Sequence, residues 1–87
     1  MEIFYPAYFT PLEKQHGYCV TVPDLPGCVT QGSSIADALK MAVDAASGWV
    51  LDALENGEEI PAPRDVSEFE VEENGGFVKL ITLHIQR

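Results

Sequence analysis

Eighty-seven residues carrying fourteen acidic and five basic side chains, a formal net charge of −9, make room for one domain around one core. Binding to nucleic acid needs clustered Lys and Arg, so this balance argues against a direct nucleic-acid contact and favours a basic protein as complement. A 46% share of hydrophobic residues argues against disorder, and no apolar run is long enough to cross a bilayer.

Residues Glu2 to Thr10, EIFYPAYFT, read as an aromatic-rich strand. Pro6 has no amide proton for a ladder, so this strand is expected at a sheet edge or with its proline position turned outward. The polar stretch Pro11 to Gly17 closes a hairpin, and Tyr18 to Val22 forms a second strand. Alternation places Tyr18, Val20 and Val22 on the face expected to meet a helix, with Cys19 and Thr21 on the other. Pro23-Asp24-Leu25-Pro26-Gly27 is a turn by its chemistry, and Cys28 to Gly32 is a third short strand leading into a helix cap.

Ser34 to Gly57 is the segment with a sustained helical rhythm. Ile35, Ala38, Leu39, Ala42, Ala46, Trp49, Val50, Ala53 and Leu54 fall on one stripe, which should face the sheet. Ser34 is placed to cap the first turn, Asp37 suits the positive end of the helix dipole, Asn56-Gly57 supplies a left-handed stop, and Pro61 forbids resumption. Gly48 costs the helix about 1 kcal/mol relative to alanine. It reads either as a tolerated surface glycine or as the point where a partner approaches closely. Trp49 is either core or an interface anchor.

From Glu58 to Glu73 the chain is an acidic, proline-interrupted connector with an extended piece expected at Phe69 and Val71. Asn74-Gly75-Gly76 is a turn. Phe77 to Gln86 is the most apolar strand, which a central position in the sheet or a dimer seam would explain. The order β-β-β-α-β predicts an α+β domain, an antiparallel sheet with one long helix on one face. Short strands around a single helix leave little apolar area per residue, so self-association as a dimer or higher state is expected.

The search for chemistry finds no catalytic constellation. Asp24, Asp37, Asp44 and Asp52 are scattered over a turn and the polar side of the helix, and Ser33 and Ser34 are accounted for as caps. No phosphate loop is present, since Gly75-Gly76 precedes a strand. His16, His84, Cys19 and Cys28 show no metal-ligand spacing, and both cysteines read as small, mostly buried strand residues. No cofactor is expected. The opening residues lack a signal-peptide pattern, so the protein is expected in the cytoplasm.

The run YCVTVPDLPGCVTQG, Tyr18 to Gly32, followed by the capped alanine-rich helix with its late tryptophan and the G-x-x-I-P-x-P closure, resembles the HicB-like antitoxin family. The resemblance covers most of the chain from Glu2 to Asp65. It implies a partial ribonuclease H-like fold without the nuclease's acidic metal cluster. It also implies a small basic toxin partner, HicA, an mRNA-cleaving protein neutralised by covering its active surface. Many family members continue into a DNA-binding segment, and none is visible here between residues 1 and 87. Asp44, Trp49, Asp52, Glu55, Glu58 and Glu59 are the candidate toxin-binding residues, the acids as an electrostatic rim and Trp49 as anchor. Two other readings stand beside this one: an orphan homo-oligomeric interaction module, and a degenerate nuclease.

Overall fold

The computed structural model describes residues 1–65 and 75–86; the extended piece expected at Phe69 and Val71, and Asn74 of the turn, lie outside them. Strands β1 (Glu2–Pro11), β2 (Tyr18–Thr21) and β3 (Val29–Gly32) precede helix α1 (Ile35–Glu55), and β4 (Phe77–His84) follows it. All pairings are antiparallel and the spatial order is β3-β2-β1-β4. The α+β class with a single helix over one antiparallel sheet is the one the sequence predicts.

At two positions the first of the alternatives offered is not the one seen among the described strands. β1 lies inside the sheet, not at its edge. Its ladder with β2 runs only from Tyr8 to Pro11, so at Pro6 the strand has a ladder neighbour on the β4 side alone, and the missing donor is tolerated. Among the described strands β4 stands at the end of the order, with β1 as its one described neighbour. Its Phe77, Ile81 and Leu83, with Ile85 just beyond the strand, face the helix and join the core.

Register and alternation define the two faces. Tyr5, Ala7 and Phe9 of β1, Val20 of β2, and Ile81 and Leu83 of β4 are buried beneath the helix with Val22, as the alternation of β2 required. Phe9 and Phe77, paired across β1 and β4, stack with ring centroids 4.9 Å apart, and Tyr18 meets Phe77 edge-on at 5.8 Å. Burial of each large apolar side chain contributes about 1.5–3 kcal/mol, so this layer holds the sheet to the helix.

The helix lies low on the sheet because its inward positions are small. Ala38, Ala42, Ala46, Val50 and Ala53 are buried, and Leu39, Trp49 and Leu54 pack at their flanks. Ile35 departs from the predicted stripe. It is 47% exposed because it borders an open groove between the β1–β2 hairpin and the helix start. Cys28 also differs, closing the turn ahead of β3 instead of belonging to the strand; its amide donates to Leu25 O and its carbonyl accepts from Val22 N, both at 3.0 Å.

The predicted stops are both present. Ser34 Oγ accepts from the Asp37 amide at 3.0 Å, and the Asp37 carboxylate accepts from the Ser33 amide at 2.8 Å and the Ser33 hydroxyl at 3.1 Å. The bond from the Ser33 amide, then that from its hydroxyl, and the nearby Lys40 hold the Asp37 carboxyl below the usual carboxylate range. At the other end the amides of Gly57 and Glu58 donate to Leu54 O and Ala53 O at 3.1 and 2.9 Å, with Gly57 at φ +71°. That is the Schellman stop, and it needs a residue free to turn left-handed.

Gly32 has a different role. A Cβ there would lie 2.5 Å from Ala38 Cα and 2.7 Å from the Asp37 carbonyl carbon, so the end of β3 touches the first helical turn backbone to backbone.

Candidate partner-binding surface

The turn Pro23 to Gly27 is held from several sides. Leu25 fills the core, and the Leu25 amide closes the turn on Val22 O at 3.0 Å. Trp49 Nε1 donates to Pro26 O at 2.9 Å, tying the turn to the middle of α1. Asp24 accepts from Arg64 twice, from Nε at 2.6 Å and from the backbone amide at 3.1 Å, and only 5% of its side chain is exposed. Tyr5 completes the arrangement by donating from its hydroxyl to Pro61 O at 2.6 Å. Burial, and after it the negative charge of Asp24, push the Tyr5 phenol above its ordinary value, so it remains a neutral donor. The Ile60 to Arg64 closure is thus fastened to the sheet and to the turn at once.

The candidate residues divide between two parts of this framework. At roughly 100° per residue, Asp37, Met41, Asp44, Gly48, Asp52 and Glu55 fall on one solvent-facing stripe. Asp44, Asp52 and Glu55 are all exposed, and Glu58 and Glu59 extend the same acidic surface past the helix stop. None of these five carboxylates forms an ion pair with a described residue. Trp49 sits apart, roughly 140° around the helix from Asp44 and 60° from Asp52. Its indole is half-buried and committed to Pro26, so it shapes the flank of the acidic surface from within the fold. A Cβ on Gly48 would meet nothing within 4 Å, so within the chain the surface reading of that glycine holds.

Sequence reasoning missed Asp24 as a latch, treating it as one of several scattered carboxylates. Its partner Arg64 lies 40 positions away, and no local pattern marks the pair. Among the described residues no group of three His, Cys, Asp or Glu is placed to hold a metal ion. Both cysteines are free, and burial pushes the Cys28 thiol up, away from reactivity.

The described residues thus form a small α+β domain with a turn fastened to helix and closure and an exposed acidic helix face. The model of the family described as "HicB_like antitoxin of bacterial toxin-antitoxin system" matches residues 5–87, and the chain belongs to that family. It is 39% identical over 64 residues to antitoxin HicB 1 of Photorhabdus laumondii, a match covering 74% of this chain and 41% of that protein. The chain thus spans about two fifths of the length of the curated relatives it matches, 40% in the case of an uncharacterised protein of Haemophilus phage HP1. Among solved structures, the N-terminal domain of Burkholderia pseudomallei antitoxin HicB superposes with a TM-score of 0.76 at 30% identity, covering 98% of this chain and all of that one (100%). A chain of a toxin–antitoxin complex from Streptococcus pneumoniae gives 0.87 at 24% identity, covering 97% of this chain and 70% of that chain, a likeness of fold alone. No helix among the described residues is long and apolar enough to cross a membrane.

Proposed function

We propose that this chain is the toxin-binding domain of a type II antitoxin: it seats a small basic, HicA-like RNase against the acidic helix face and so occludes the toxin's active surface. The observation that carries this reading is the row Asp44, Asp52, Glu55, Glu58 and Glu59, exposed and in no ion pair with a described residue, on a chain of net charge −9. Such a row steers a cationic partner and penalises anionic ones. Family membership supports it, as does the 39% identity over 64 residues to antitoxin HicB 1 of Photorhabdus laumondii. The domain acts by binding alone, without catalysis, in the cytoplasm, and as a homo-oligomer.

The test is co-expression with a HicA-like toxin. The wild-type chain is expected to relieve growth arrest and to co-purify with the toxin. Asp44→Lys combined with Asp52→Lys is expected to weaken the complex about 10–100-fold, since each tenfold step needs only about 1.4 kcal/mol. Affinity unchanged by this double reversal sinks the assignment of the helix face. Arrest that the wild type does not relieve sinks the antitoxin reading itself.

A further inference from the structure

An acidic, proline-rich segment leaving a helix is ordinarily left to solvent, yet the first part of this one is fixed at three points. The Glu58 amide donates to Ala53 O at 2.9 Å, and Pro61 O accepts from the Tyr5 hydroxyl at 2.6 Å. The Arg64 amide donates to the Asp24 carboxylate at 3.1 Å, beside the guanidinium bond of 2.6 Å. Between these points Ile60 packs against the core, and Pro61 and Pro63 fix their own φ. The groups that do the holding are interior ones: Tyr5 is 0% exposed and the Asp24 side chain 5%. The turn that carries Asp24 is itself bonded to α1 through Trp49 and Pro26. Helix, turn and closure therefore make one closed frame, with Glu58 and Glu59 on the short arc between Gly57 and Ile60.

That arc is held against its own electrostatics. The C-terminal end of a helix carries the equivalent of about half a negative charge, which favours cations. Here the last turn has no basic residue, and Glu55, Glu58 and Glu59 stand at or just past that end, all exposed. Left free, Glu58 and Glu59 would swing away from the dipole and from Glu55, and the frame denies them that. A local rule broken at one place, and upheld there by bonds supplied from elsewhere in the chain, marks a functional position. A cationic side chain is the group that relieves it.

We propose that Tyr5 and Asp24 are positioning residues of the partner-binding surface: through Pro61 and Arg64 they hold Glu58 and Glu59 beside the C-terminal end of α1, in place for the Lys or Arg side chains of a basic partner. This rests on the toxin-binding reading above and adds to it two residues that lie beneath the surface. Tyr5 has no exposed area, so any effect of its hydroxyl on binding is transmitted through the closure. What it contributes is preorganisation: ordering the closure and its two long side chains is a cost of association that the frame removes.

The test is a double-mutant cycle on affinity for a purified HicA-like toxin, at a temperature where circular dichroism shows every variant folded. Glu58→Gln with Glu59→Gln is expected to weaken the complex about tenfold, and Tyr5→Phe alone about 3–10-fold. Added to the two glutamines, Tyr5→Phe is expected to change affinity less than about twofold, because the carboxylates it positions are gone. Asp24→Asn with Arg64→Gln removes one charge of each sign, leaves the net charge at −9, and is expected to match Tyr5→Phe. Amide hydrogen exchange of the free chain reads the same frame without a partner: in Tyr5→Phe, Glu58 and Arg64 should be accelerated more than the amides from Ala42 to Val50. Tyr5→Phe that binds as wild type, or that weakens binding equally in both backgrounds, overturns the positioning role, and so does exchange at Glu58 and Arg64 that rises no more than in the helix. In each of those outcomes the wild type still binds, so the positioning role fails alone. A wild type that does not bind the toxin overturns the toxin reading and this role with it.

Discussion

Gly32→Ala and Gly48→Ala are the same chemical change, and the structure gives them opposite signs. At Gly32 the new methyl would stand 2.5 Å from Ala38 Cα, where carbon atoms rest at about 3.5–4.0 Å, so strand and helix must separate by about 1 Å. Backbone atoms cannot swing aside as a side chain can. Overpacking of this kind costs about 1–3 kcal/mol. The displaced turn also carries the Ser34 and Asp37 cap, worth about 1 kcal/mol more. A loss of about 2–4 kcal/mol lowers the melting temperature of a domain this size by roughly 8–32 °C, at about 4–8 °C per kcal/mol. At Gly48 a methyl meets nothing, and replacing glycine in a helix interior gains about 0.5–1 kcal/mol, or roughly 2–8 °C. Thermal unfolding followed by circular dichroism at 222 nm reads both. A Gly32→Ala melting temperature within about 2 °C of wild type, or a destabilised Gly48→Ala, would refute the packing argument. Gly48→Ala has a second use: if it stabilises the free chain yet weakens toxin binding, the glycine marks a close approach by the partner.

Tyr5→Phe keeps the buried ring and loses the donor to Pro61 O, so urea unfolding should register about 1 kcal/mol of destabilisation with an unchanged m-value. Asp24→Ala removes the acceptor of both Arg64 bonds at a nearly buried site and is expected to cost about 1–3 kcal/mol in the same assay. Asp37 gives a pH dependence. Its folded-state pKa is depressed, so its contribution is complete above the unfolded value near about 3.9 and disappears as pH falls through the lower folded value. Asp37→Asn should flatten that acid limb of the stability curve, and an unchanged limb would remove the cap as its origin.

Both ends of the helix were legible because capping is local chemistry: Ser34 with Asp37, and Gly57 with the bonds it permits, lie within a few residues of one another. The face of β2 was legible for the same reason, alternation being a property of the strand itself. Strand order was not. Pro6 left an edge or an outward-turned proline open and the apolar run of β4 a centre or a dimer seam, and among the described strands β1 lies inside and β4 at the end of the order. What decides each is which distant strand lies alongside, and the pairing of Pro6 with Leu80 is written nowhere near either residue. Of the candidate residues, Asp44, Asp52 and Glu55 could be placed on one exposed helix stripe because exposed charges on a capped helix follow the 3.6-residue period alone. Trp49 shared the apolar periodicity but not the surface, since its indole partner, Pro26, stands 23 positions away. Ile35 matched the period and missed the core because the hairpin beside the helix start leaves a groove there.

The bond between Trp49 and Pro26 also makes the protein its own optical instrument. Trp49 is the single tryptophan, so the indole emission of the chain reports from one spot, the seam between helix and turn. Loosening of the turn exposes the indole to water and shifts that emission to longer wavelength. A partner settling on the acidic row beside it changes the spectrum with no label attached.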